Sequence, residues 1–126
     1  MDTKLINDIF LQELQQQARG NDRKRQNFDL RTTPEDTSQR MLNVLEPGTK
    51  VPVHRHDKTA ETVICIRGKL DEVFYEDENG CKEIARYTLY PAEGSYGIQI
   101  PQGVWHTVEV YEPSVIFEAK DGAYGK

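Results

Sequence analysis

The sequence has few cysteines, no long apolar run and no excess of positive charge. Its two cysteines, Cys65 and Cys81, lack CxxC spacing and are too few for the disulfide framework of a small secreted domain. Both are therefore predicted to be reduced. No stretch reaches the length of about eighteen apolar residues that a membrane span needs, and the formal net charge of -5 offers no basic surface for nucleic acid. We expect neither a membrane nor a nucleic-acid partner.

Length and the first residues set two further expectations. The Met1–Gly20 segment lacks the basic start and apolar core of a secretory signal peptide, so a cytoplasmic protein is expected. A chain of 126 residues lies within the usual size of one domain, about 100–200 residues. We predict one domain in which residues 1–33 supply a helix and a basic connection, and residues 34–126 form a β-barrel.

The N-terminal segment has the apolar spacing of a helix. The period predicts a helix over Lys4–Arg19, with Gly20 as its C-terminal stop. The segment Asn21–Thr33 is cationic, has few apolar residues and ends before Pro34, which predicts a loop or an extended connection. The apolar face of the helix needs a surface to cover it. That surface is either its own barrel or a second copy of the chain, and a homodimer is expected.

After Pro34 the sequence changes to short alternating runs separated by Gly, Pro, Asn and Asp, which is typical of an all-β domain. About eight strands are predicted, a number that fits a jelly roll. They are Arg40–Leu45, Lys50–His54, Thr62–Arg67, Asp71–Tyr75, Lys82–Leu89, Tyr96–Ile100, Trp105–Val110 and Val115–Ala119.

Two histidines and a glutamate have the spacing of a metal site. In a strand, residues i and i+2 project from the same face, so His54 and His56 can present both imidazoles to one interior point. Glu61 follows after the short turn Asp57–Ala60. Two imidazoles and a carboxylate suit Fe(II), Mn(II), Ni(II), Zn(II) or Cu(II) and leave coordination positions open.

A second segment, Pro101–His106, supplies a candidate fourth ligand, His106, after a Pro/Gly turn. A lone histidine in a strand is more often a hydrogen-bonded structural residue than a ligand. Here, however, all three histidines of the protein fall in these two segments, with a glutamate and glycines in register. The combination favours a site formed by His54, His56, Glu61 and His106 for one divalent transition metal.

These segments resemble the paired motifs of the cupin superfamily, G(X)5HXH(X)3-4E(X)6G and G(X)5PXG(X)2H(X)3N. The first is matched at every position from Gly48 to Gly68. The second departs twice, because Gly94 is one residue too far from Pro101 and Val110 replaces the asparagine. The resemblance implies an all-β fold, a single-domain cupin (jelly-roll β-barrel) with a short N-terminal α-helix.

The chain is also similar, along nearly its whole length, to the WbuC-type cupin-fold metalloproteins, which are often encoded among bacterial surface-polysaccharide genes. This resemblance implies the metal, but it implies no defined reaction. The matching segments beyond the cupin motifs are the leading helix, Arg23–Asn27, Gln39-Arg40, Leu42-Asn43, Pro52–His56, Gly103–Thr107 and Glu118–Tyr124.

Three functions are compatible with such a site. In the favoured one, the metal is a Lewis acid in isomerase-like or epimerase-like chemistry on a sugar or sugar nucleotide. The alternatives are an Fe(II)-dependent dioxygenase and a non-catalytic module that binds a small ligand. A small polar or anionic molecule is the expected partner. Candidate substrate residues are Arg23, Arg25, Arg40 and Arg67, which could clamp phosphate or carboxylate, with Tyr87, Tyr96, Gln99 and Tyr124; candidate acids or bases are Glu109, Glu118 and Tyr124.

Overall fold

The structure, a computed structural model, describes residues 3–122. Within them it contains one α-helix and a six-stranded antiparallel sheet. No helix in this part of the chain is long and apolar enough to cross a membrane. The elements are α1 (Asp8–Arg19), β1 (Arg25–Asp29), β2 (Ser38–Leu45), β3 (Glu61–Tyr75), β4 (Glu83–Leu89), β5 (Gly97–Ile100) and β6 (Trp105–Asp121), with a 3-10 turn at Pro91–Glu93.

The helix α1 begins later than the sequence pattern predicts. Asn7 has extended backbone angles, and its side chain accepts a hydrogen bond from the backbone N–H of Phe10 at 3.0 Å. This N-cap satisfies an otherwise unpaired helix donor, so the helix starts at Asp8 rather than Lys4. Gly20 ends the helix, as the sequence predicts.

The sheet has the order β1-β2-β6-β3-β4, and β5 pairs with β3. The segment Asn21–Thr33, predicted as a loop or an extended connection, contains the paired strand β1. That strand pairs with β2 from Arg25 opposite Leu45 to Asp29 opposite Met41. A polar sequence forms this strand because Phe28 packs beside the helix while the neighbouring residues face the other way.

Two pairs of predicted strands are single long strands in the structure. Thr62–Arg67 and Asp71–Tyr75 are the two halves of β3, and β6 likewise includes both Trp105–Val110 and Val115–Ala119. The ladder between β3 and β6 shifts register between Cys65 and Leu70. At these irregularities each strand bends but does not end. The sequence pattern therefore predicts two short strands where the structure has one long strand.

The predicted strand Lys50–His54 is also wrong. In the structure only His54 makes a β-bridge, to His106, and the preceding residues are irregular. A single bridged pair of residues therefore takes the place of the predicted strand.

Apolar side chains form two clusters on opposite faces of the sheet. The cluster between α1 and the sheet shows that the helix covers its own barrel, while Leu5 and Ile9 remain exposed. The cluster inside the barrel consists of Leu45, Val63, Cys65, Leu70, Phe74, Leu89, Ile100 and Ile116. The outer cluster consists of Leu11, Leu14, Ala18, Leu42, Val44 and Val115.

Candidate metal centre

Backbone pairing brings the two histidine segments together. The backbone N–H of His54 donates to the carbonyl of His106 at 3.0 Å, and the N–H of His106 donates back to His54 at 2.8 Å. The turn between Pro101 and His106 is held to the first segment by a hydrogen bond from Gly103 N–H to the carbonyl of His56, at 2.9 Å. The geometry of the histidines is thus set by main-chain bonds.

The three imidazoles form one cluster. Their ring centroids lie 4.3 Å apart for His54 and His106, 5.4 Å for His54 and His56, and 5.6 Å for His56 and His106. One nitrogen from each ring lies within 4.8 Å of the others. This spacing allows a single ion to contact all three.

Hydrogen bonds to the far side of two rings leave the inward nitrogens available. The Nδ1 of His54 lies 2.9 Å from the carbonyl of Pro52, and the Nδ1 of His106 lies 2.9 Å from the carbonyl of Val104. A carbonyl only accepts, so each Nδ1 carries the proton and each Nε2 keeps its lone pair. This arrangement is the usual support for a metal-binding imidazole.

Glu61 closes the cluster from β3. Its carboxylate is 5% exposed and lies 3.1 Å from the Nε2 of His56 and 3.8 Å from the Nε2 of His106. The contact with His56 is close but is not aligned as a hydrogen bond, so the buried Nε2 has no hydrogen-bond partner among residues 3–122. An unpartnered buried imidazole nitrogen beside a carboxylate fits a metal ion between them.

Burial keeps His106 neutral. Its side chain is 2% exposed, and burial, together with the neighbouring His54, lowers its pKa to about 4. At neutral pH the ring is therefore uncharged, which is the form that binds metal ions.

Two adjacent cavities lie against the cluster. An inner cavity of about 30 Å³ contacts His54, His106 and Glu61. An outer cavity of about 130 Å³ opens toward the surface beside β1, and it shares His54, Asn43 and Glu118 with the inner one. The inner cavity has room for one or two water-sized ligands, so a larger molecule needs the space of the outer cavity.

Two further carboxyl groups face the inner cavity. Burial, followed by repulsion from Glu61, raises the pKa of Glu118 to about 8, while a hydrogen bond from Asn43 opposes the shift. Glu118 lies deep in the barrel but is partly accessible through the cavity. Burial, followed by repulsion from Glu118 and Glu61, raises the pKa of Glu72 well above its usual value. Both groups therefore bind protons more readily than ordinary carboxylates.

The raised pKa of Glu118 predicts a pH-dependent stability. A carboxyl with a folded-state pKa above its unfolded value reduces stability as pH rises from the unfolded pKa to the folded one. In metal-free protein, Glu118→Gln should leave the free energy of unfolding nearly unchanged at pH 5 and raise it by roughly 1–2 kcal/mol at pH 8. Urea unfolding at the two pH values measures this difference. An equal effect of the substitution at both values would contradict the shifted pKa.

Of the four candidate arginines, Arg25 alone lines one of the two cavities beside the histidine cluster. Arg40 binds Asp36 at 2.8 Å, on the strand face that packs toward the helix. Arg67 lies 3.6 Å from Asp8, outside the barrel. Arg23 contributes its backbone carbonyl to the hydroxyl of Thr49 and does not line either cavity.

The other predicted polar contacts lie away from the cluster. Tyr96 is 61% exposed before β5, and Gln99 accepts a hydrogen bond from Thr62 on the outer surface. Tyr87 packs its ring against Phe74 at 5.3 Å and is half exposed. Tyr124 lies outside the described residues.

The two acid–base candidates within residues 3–122 have different surroundings. Glu109 is bound to Arg86 at 2.6 Å in an exposed ion network with Asp71 and Glu83. Glu118 instead lines both cavities beside His54. Of the two, only Glu118 is placed to exchange a proton with a molecule in the cavity.

Sequence reasoning missed three cavity residues, namely Asn27, Asn43 and Glu72. Asn43 could have been found, because alternation places it on the same face of β2 as Leu45, which lies inside the barrel. Asn27 could not have been found, since its segment was predicted as a loop or an extended connection, for which no inward face is defined. The register shifts in β3 likewise hid the inward direction of Glu72.

A comparison with known protein families assigns the chain to one family. Residues 6–87 match the sequence model of a family described as "Domain of unknown function (DUF6016)". The chain belongs to the DUF6016 family. No curated protein matches this DUF6016 chain.

Solved structures similar to the DUF6016 chain have the cupin fold. CapF, a capsular polysaccharide assembling protein from Staphylococcus aureus, is 23% identical with a TM-score of 0.66, over 82% of this chain and 29% of CapF. KdgF from Halomonas sp. is 14% identical with a TM-score of 0.60, over 79% of this chain and 81% of KdgF. A cupin 2 domain-containing protein from Halorhodospira halophila is 16% identical with a TM-score of 0.61, over 79% of this chain and 65% of that protein.

These comparisons confirm the predicted fold class. The DUF6016 chain is an all-β, single-domain jelly-roll cupin with one short N-terminal helix. The chain spans less than a third of the length of CapF, and at these identities the likeness concerns the fold. Three histidines lie within metal-binding distance of one another in that fold.

Proposed function

We propose that this chain binds one divalent transition metal through His54, His56, His106 and Glu61, and acts on a small hydroxylated molecule beside it. The observation that carries the proposal is the cluster of three imidazole nitrogens within 4.8 Å of one another. The carboxylate of Glu61 lies against two of the rings. Three nitrogens and one oxygen are donors that Fe, Mn, Zn and Ni all accept.

The residues around the cluster have separable roles. A bound metal supplies a Lewis acid that polarises a carbonyl or hydroxyl oxygen. The carbonyls of Pro52 and Val104 hold the rings of His54 and His106 in a fixed orientation. The carboxyl of Glu118, whose pKa is raised to about 8, holds a proton at neutral pH and can exchange it with a molecule in the cavity.

Sugar or sugar-nucleotide chemistry is the favoured reaction class. Support comes from the resemblance to WbuC-type cupins and from the similarity to CapF, which is described as a capsular polysaccharide assembling protein. The outer cavity, at about 130 Å³, is smaller than a typical pocket for a drug-sized ligand, roughly 300–1,000 Å³. A three-carbon or four-carbon part of a sugar would enter it, and any nucleotide would remain outside. The homodimer and the cytoplasmic location stay predictions.

Proton exchange tests this function. Protein loaded with Zn, Mn or Fe is incubated in D2O with small hydroxyaldehydes, hydroxyketones and sugar phosphates, and deuterium at the carbon beside the carbonyl is followed by NMR. Exchange faster than with the same metal salt alone is expected, and His54→Ala should abolish the difference. Exchange no faster than with free metal throughout, or oxygen consumption by the iron-loaded protein with these compounds, would overturn the proposed chemistry.

A further inference from the structure

Arg25 differs from most arginines of this protein in having no carboxylate partner among residues 3–122. In residues 3–122, every arginine except Arg23 and Arg25 has a carboxylate oxygen within 3.6 Å of its guanidinium. The net charge is -5, so carboxylates are abundant on the surface. An unpaired arginine in such a protein is available for an anion from outside the chain.

The guanidinium of Arg25 is held at the wall of the outer cavity. Its Nη1 donates to the carbonyl of Lys50 at 3.0 Å and lies 3.5 Å from the hydroxyl of Thr49. Within residues 3–122, Nε and Nη2 have no hydrogen-bond partner. The side chain is therefore oriented by two contacts and keeps donors for a planar, bidentate acceptor such as a carboxylate or a phosphate.

The same cavity also offers hydrogen-bond acceptors. The Oδ1 atoms of Asn27 and Asn43 are buried and have no hydrogen-bond partner among the described residues. Both residues line the outer cavity together with Glu118 and His54. Buried acceptor atoms without partners can accept hydrogen bonds from the hydroxyl groups of a ligand. The wall of the cavity thus combines a cation, two hydroxyl acceptors and one histidine of the cluster.

We infer that Arg25 anchors the carboxylate or phosphate group of a small polyhydroxylated ligand, whose other end reaches the histidine cluster. The inference rests on the proposed function, because it places the reacting end of that ligand at the metal centre. The cavity volume of about 130 Å³ is close to that of a cavity of about 150 Å³ that holds one benzene molecule. The inserted part of the ligand is therefore the size of a three-carbon or four-carbon polyol.

Three small probes test the charge and the hydroxyls separately. D-Glycerate carries a carboxylate, glycerol 3-phosphate carries a phosphate, and glycerol supplies hydroxyls without an anion. Each is titrated into zinc-loaded protein, and the side-chain amide signals of Asn27 and Asn43 are followed by NMR. At least one anion should bind about tenfold or more tightly than glycerol, since hydrogen bonds to a charged group are stronger than neutral ones.

Matched substitutions assign the preference to one arginine. Arg25→Gln should bring the anion to the affinity of glycerol, whereas Arg23→Gln, which removes the same charge outside the cavity, should keep the preference. The anion that binds more tightly shows whether Arg25 recognises a carboxylate or a phosphate. Equal affinity for glycerol and both anions, no saturable shift with either anion, or equal losses in the two variants would overturn the inference.

Zinc binding by the same samples separates this inference from the proposed function. Arg25→Gln should still bind zinc as the unsubstituted protein does, because Arg25 is not among the four ligands. Titrations with chelator-treated protein should show the anion preference as well. If zinc fails to bind while the Arg25-dependent preference persists, the metal proposal fails alone; if zinc binds and the preference is absent, the anchoring role of Arg25 fails alone.

Discussion

Replacing His106 with alanine is expected to lower the affinity for zinc at least about hundredfold, since even residues that only support a metal ligand change affinity about 10–100-fold. His106 is buried, and its Nδ1–H is held by Val104, so its Nε2 is committed to the cluster. Competition with a chromophoric chelator measures the change. His54→Ala, at a less buried ring, should give a similar loss and guards against a folding defect in the first variant.

Arg55 provides the control for these two variants. It lies between His54 and His56, but its guanidinium stacks over Trp105 at 4.5 Å and pairs with Asp57 at 2.7 Å. These two contacts commit its guanidinium to Trp105 and Asp57 rather than to the cluster. Arg55→Gln should bind zinc as tightly as the unsubstituted protein. Unchanged zinc affinity in both histidine variants would remove the basis of the site.

Gly68→Ala is expected to reduce the free energy of unfolding by about 3 kcal/mol, combining a left-handed backbone with a steric clash. Gly68 has a φ of 98°, and a Cβ there would lie 2.5 Å from the carbonyl oxygen of Pro113 and 2.6 Å from the Cα of Ser114. Backbone atoms cannot move aside as a flexible side chain can. Urea or thermal unfolding of the variant measures the loss.

A substitution at Gly94 measures the backbone strain of a positive φ without a steric clash. The φ of Gly94 is 83°, and nothing lies within 4 Å of the position that a Cβ would take. Gly94→Ala should therefore show only the backbone term, about 1–2 kcal/mol. If the two variants lose the same stability, the close approach of β3 and β6 at Gly68 has no energetic weight.

The role of Gly68 also explains part of the cupin motif. The sequence marks this glycine as the end of the first motif but does not say why glycine is needed. The structure places it where β3 bends and the backbone of β6 passes against it. The physical reason is a contact between residues far apart in the chain, which spacing within one segment does not contain.

The candidate ligands could be predicted because their geometry is local. An i, i+2 spacing in extended backbone predicts that His54 and His56 lie on one side, and alternation along the next strand places Glu61 inward with Val63. His106 comes from a distant segment, and its main-chain pairing with His54 is seen only in the structure. That these four bind a metal remains a prediction, for which the geometry supplies the conditions.

The wall of the cavity could not be predicted in the same way. Glu72 lies eleven residues after Glu61 in one strand, so uninterrupted alternation would place the two on opposite faces. The register shifts between Cys65 and Leu70 reverse this, and both line the inner cavity. The sequence also did not distinguish Arg25 from the three other candidate arginines. Its inward direction depends on the pairing of β1 with β2, which the local sequence does not predict.

X-ray absorption of the zinc-loaded protein identifies the atoms bound to the metal. One zinc per chain is expected, with nearest neighbours of nitrogen and oxygen at about 2.0–2.1 Å and the scattering pattern of three imidazoles. His54→Ala and His106→Ala should each lose imidazole scattering or the zinc itself. A sulfur shell at about 2.3 Å, or a zinc environment without imidazole, would contradict the assignment of His54, His56, His106 and Glu61 as the metal site.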